Sequence, residues 1–166
     1  MLHVGRTLAW TYHRLGQLGR ARELHEENLQ RARALGNRLA TANTLGSLAA
    51  IATDEGRIHD AMSLMRENWP IVQDLGDFLG IAEDLSRMAK ALAIGGKAET
   101  AAQVLACFEV LREETGGAEN WVRRENEETL AIVREQLDDA SFAEEWTKGR
   151  QLGAEQAMAL GFDAGL

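Results

Sequence analysis

The chain has 166 residues, 45% hydrophobic and 27% charged, with one proline, one cysteine and a formal net charge of −8. Those figures fit one globular domain and exclude a disulfide framework, a thiolate metal cluster and, at 5% aromatic, a strand-rich sandwich. No apolar run reaches the length of about 18 residues that a membrane span needs, and no signal-peptide pattern opens the chain, so the reading is cytoplasmic.

Taken in chain order, apolar residues recur at helical spacing from Leu2 through Gly5, Leu8, Ala9 and Tyr12 to Leu15, which predicts a helix over 2–15. Gly16 breaks it, and Leu18, Ala21, Leu24, His25, Leu29 and Ala32 carry a second helix over 18–35 to Gly36. Asn37 is placed to cap a third helix over 38–54, Gly56 ends that hairpin turn, and a fourth helix runs over 58–75. Pro70 falls inside that fourth helix and predicts a bend over 66–70, because proline lacks the N–H and crowds the preceding turn. Gly76 and Asp77 repeat the stop and cap, and helices follow over 78–94 and 97–115 around Gly96. Beyond Gly116 come helices over 121–137, from Ser141 to about 149, and over 154–161. The second of these opens on a capping box of Ser141 and Glu144.

Sliding the chain against itself by forty residues aligns Gly16 with Gly56 and Gly96, and Gly36 with Gly76 and Gly116. Ala9, Ala49 and Ala89 coincide, as do Ala21, Ala61 and Ala101, small residues that let paired helices approach closely. The expectation is an all-α fold, an α-solenoid of helix-turn-helix units with a period of forty. Units are placed at 1–37, 38–77 and 78–117, with an atypical fourth unit and cap over 118–166, all in a single domain.

The segment Leu8-Ala9, Tyr12, Gly16, Ala21 resembles the tetratricopeptide (TPR) pattern of leucine, small residue, aromatic, helix-breaking glycine and alanine. The usual early tryptophan is replaced by Gly5, Leu45 and Leu85, and the terminal proline is missing. Together with the tail Phe142, Trp146, Gly149-Arg150, the long units resemble the C-terminal repeats of bacterial LuxR-type transcription regulators and signal-transduction ATPases. That resemblance implies a non-catalytic module that binds a protein, a peptide or a small effector within a larger regulator. The alternative is a self-associating assembly domain.

No catalytic constellation, cofactor loop or metal motif is legible. His25-Glu26-Glu27-Asn28-Leu29 starts like a zinc-protease helix but ends in leucine, and His25 reads as a core histidine. Asp54, Glu55, His59 and Asp60 read as the polarity of a turn. Candidate binding residues lie on the face of each unit's first helix that points away from the core. Arg6, Trp10, His13 and Arg14 form the first stripe, with Asn43 and Ser47 on the second and Arg87 and Lys90 on the third. An indole beside guanidinium groups suits a peptide carboxylate or another anion.

Charge is unevenly spread. Residues 1–40 hold seven Arg and three Glu, a net of +4, which leaves −12 for the remainder. The acidic total argues against direct nucleic-acid binding. The apolar edge of the first hairpin reads as the end of a longer array, or as the seat of a two-fold homodimer.

Overall fold

A computed structural model describes the backbone over residues 2–115 and 120–164, and side chains over 8–114 and 124–164. The described residues form nine α-helices and no strand: α1 (Leu2–Arg14), α2 (Leu18–Ala34), α3 (Arg38–Asp54), α4 (Ile58–Leu75), α5 (Phe78–Ile94), α6 (Ala98–Thr115), α7 (Asn120–Gln136), α8 (Asp139–Gly149) and α9 (Ala154–Asp163). Each predicted helix is present, displaced by at most a few residues at its ends.

One joint recurs along the chain. At Gly16 the backbone turns left-handed (φ 72°), Gly16 N–H donates to the His13 carbonyl and Gln17 N–H to that of Tyr12. This pair of bonds satisfies carbonyls that the helix end would leave open, and glycine alone adopts that φ without steric cost. The same two bonds close the chain at Gly36, Gly56, Gly76 and Gly96. Gly116 lies outside the described residues.

Helix starts follow from side-chain caps. Asn37 Oδ1 accepts from Ala40 N–H at 3.0 Å, and Asp77 Oδ1 accepts from Gly80 N–H at 3.1 Å. The expected capping box at Ser141 is a correction. Asp138 caps α8 instead, accepting from the Ala140 and Ser141 amides at 3.0 and 2.9 Å. Ser141 sits inside the helix with its hydroxyl donating to Asp138 Oδ2 at 3.0 Å. A carboxylate at a helix start also meets the positive end of the helix dipole, so aspartate takes the role over serine.

α4 runs unbroken from Ile58 to Leu75 through Pro70, which lies on its exposed face.

Contacts divide the chain into two compact units, Met1–Gly80 and Ile81–Leu166, with the division inside α5. In the first, α1 packs on α2, α2 on α3 and α3 on α4. Leu29, Leu45 and Leu48 form its core cluster, with Leu64 and Ile71 packed against them. In the second, α6 is the central element and receives α7, α8 and α9. Phe108 and Leu105 of α6 are buried, and a methyl added at Gly149 would collide with the Gln103 backbone where α8 crosses α6. Ala9, Ala21, Ala49, Ala61, Ala89 and Ala101 are all at 0% exposure, in keeping with small residues at the close helix approaches.

Candidate binding faces

On α3, every side chain from Thr41 to Thr53 is buried except Asn43, Ser47 and Ala50, and Asp54 is exposed. On α5, every side chain from Asp84 to Ala93 is buried except Arg87 and Lys90, and the stripe continues to Glu83 and Ile94. The spacing of four, three and four keeps each set on one helix face, and the two sets are forty residues apart position by position. Such a stripe appears when a helix is packed on all sides but one.

The first stripe is less regular. Trp10, 51% exposed, and exposed Arg14 occupy the register positions of Ala50/Lys90 and Asp54/Ile94. The Arg14 guanidinium lies over the Trp10 ring, 5.4 Å from its centroid. His13 falls instead in register with buried Thr53 and Ala93, and it reaches across to Asp54, with Nε2 2.7 Å from Oδ2. It is a flank residue that ties α1 to the end of α3. The Arg6 side chain lies outside those described.

The remaining candidates are partly committed to their own helices. Ser47 Oγ donates to the Asn43 carbonyl at 2.9 Å, so its outward capacity is as an acceptor. Arg87 donates to Glu83 at 2.7 Å and to Asp84 at 3.0 Å, and the Asp84 side chain is fully buried. Burial disfavours the Arg87 charge, but the Glu83 and Asp84 carboxylates outweigh it and hold the guanidinium above its ordinary range. It is therefore an internally neutralised group, a poor receptor for an outside anion. Lys90 is half-buried on the same stripe. Arg87 and Lys90 belong to the second compact unit, and the other candidates to the first.

The turn acids are also engaged. Glu55 accepts from Arg57 and lies 3.4 Å from Arg22, and Arg57 also bonds Asp60. Among the described residues no group of three or more His, Cys, Asp or Glu is placed to hold a metal ion. His25 is buried at 1% exposure.

Sequence reasoning missed a cleft between α7 and α8, about 560 Å³ in volume, lined by Leu130, Arg134, Asp139, Phe142, Trp146 and Thr147 among others. The Arg134 guanidinium lies 4.3 Å from the Phe142 centroid, and Phe142 stacks on Trp146 at 5.3 Å with 28° between planes. The i, i+4 spacing of Phe142 and Trp146 is the signal that marks it in the sequence.

Repeated hairpins with glycine joints, small residues at the helix crossings and one open stripe per first helix define an all-α helical-repeat protein. Residues 6–37 match the tetratricopeptide repeat family, which with the repeated hairpins supports a TPR-like repeat. No curated protein and no solved structure matches the chain.

Proposed function

We propose that this chain is a non-catalytic binding module whose first helices each present an open face to a protein or peptide segment. TPR repeats generally mediate protein binding, and the in-register stripe on α3 and α5 is the observation that carries the reading here. Half-buried small and polar groups such as Asn43, Ser47 and Ala50 accept an extended chain at close range, while Trp10 offers a large, rigid apolar surface. The tail resemblance supports a place in the cytoplasm within a larger bacterial transcription regulator or signalling ATPase, where segment binding would bias domain arrangement. A small effector is the second class of ligand that such a face accommodates.

The test is a displayed random-peptide library panned on the wild-type chain, with Ala50→Arg as the counter-screen. Ala50 is half-buried on the stripe, so the arginine fills the face without entering the core. Enriched peptides should lose the variant. Sequences that bind both proteins equally would show that the stripe is not the site.

A further inference from the structure

The cleft in the hairpin of α7 and α8, about 560 Å³, has the size of a small-molecule site, and its described lining comes from these two helices alone. Leu130 and Arg134, four residues apart, supply one wall. Asp139, Phe142, Trp146 and Thr147 line the other, at the spacing of a single helix face. The shape is therefore set within one hairpin. Its apolar part is Leu130 with buried Phe142 and half-buried Trp146, whose rings stack.

Two opposite charges stand at the turn end of this cleft. Arg134 lies in the last turn of α7 with its guanidinium over the Phe142 ring, and no carboxylate is in ion-pair range of it among the described residues. Resting on the ring face, it keeps its N–H edge for an outside acceptor. Asp139, exposed in the first turn of α8, likewise has no ion-pair or hydrogen-bond partner for its carboxylate among the described residues. Asp138 makes the cap of α8, so Asp139 is not needed for that role. The gap between the two charges is too wide for a direct ion pair, yet both line one cleft. A polypeptide segment laid across it brings a neutral backbone and would cover both charges at a cost. A plain carboxylate would meet Arg134 but be repelled by Asp139. A small zwitterion satisfies both.

We infer that the α7–α8 cleft binds a free α-amino acid with an apolar side chain, its carboxylate on Arg134, its ammonium group on Asp139 and its side chain on Leu130 and Trp146. The guanidinium edge suits a carboxylate through two parallel hydrogen bonds. Both charged groups of an α-amino acid sit on one carbon, so engaging them directs the side chain along the apolar walls. This goes beyond segment binding on the α3 and α5 stripes and does not depend on it.

Phenylalanine, phenylalaninamide and hydrocinnamate, titrated by calorimetry into the full chain, test this, because the amide lacks the carboxylate and hydrocinnamate lacks the amine. Phenylalanine should bind, and each analogue should bind about tenfold or more weakly. Arg134→Gln should lower the affinity for phenylalanine about tenfold or more and leave that for the amide unchanged. Asp139→Asn should do the same, with hydrocinnamate as the unaffected ligand. Both side chains are exposed, so helical content and melting temperature should stay as in wild type. Ala50→Arg, in the other compact unit, should bind phenylalanine as wild type does, so a failure at the stripe and a failure at the cleft read separately. No binding of phenylalanine at millimolar concentration, equal affinity for the three compounds, or an Arg134→Gln effect of the same size on the amide would overturn the inference.

Discussion

Cys107 shows how little a residue's type says before its surroundings are known. Its thiol is buried, donates to the Leu152 carbonyl at 3.3 Å, and is pushed up to about 11 by burial first and by Glu114 second. The thiolate is the reactive form, so an aromatic disulfide reagent at pH 8 should leave the folded protein unmodified and titrate one thiol in denaturant. Rapid labelling of the native chain would contradict the buried placement. Trp10 and Leu45 make a second contrast at the same scale. Leu45 is at 0% exposure in the core cluster and Leu45→Ala should cost about 2–5 kcal/mol. Trp10 is half exposed, and Trp10→Ala should cost well under that, as chemical denaturation of both variants would show.

Among the elements, the helix starts and stops are the features most open to test. Asn37→Ala removes the acceptor for the Ala40 amide and should cost about 1 kcal/mol. α8 should be the helix most sensitive to acid. Hydrogen bonds from Ser141 and Ala140 hold the Asp138 carboxyl below its usual range, and Lys148, opposed by burial and aided by Gln103, does the same for Glu145. A depressed carboxyl contributes stability that is full above its unfolded pKa of about 4 and is lost as pH falls through the folded value. The amides of Ala140 and Ser141 should therefore lose hydrogen-exchange protection below about pH 4 before those of α3 do. The first five helices were legible because each ends on a glycine whose conformation few other residues share. The α8 cap was misplaced because Asp138 and Ser141 both offer cap chemistry within one turn, and only the bonds formed distinguish them. The stripe was legible on α3 and α5 from periodicity alone. That Arg87 is neutralised by Glu83 and Asp84, and that His13 is drawn to Asp54, depends on side-chain directions that spacing does not specify.

At the scale of the whole molecule, contacts divide between Met1–Gly80 and Ile81–Leu166, each with its own buried set. In a repeat array, stability is the sum of terms between neighbours, so damage to one core need not travel far. Leu45→Ala should raise exchange in α2, α3 and α4 while α8 and α9 keep their protection; equal loss throughout would mark one cooperative block. The turn glycines carry a further consequence. Gly16, Gly36, Gly56, Gly76 and Gly96 fall every twenty residues, with the same two bonds at each. Joints of one pattern are interchangeable. A forty-codon stretch copied or excised between any two alternate joints would rejoin helix to turn to helix with each of these bonds available again. The joints themselves therefore set no bar to a change in the number of units, and the constraint on where a new unit is accepted lies in the side chains that neighbouring hairpins pack and pair.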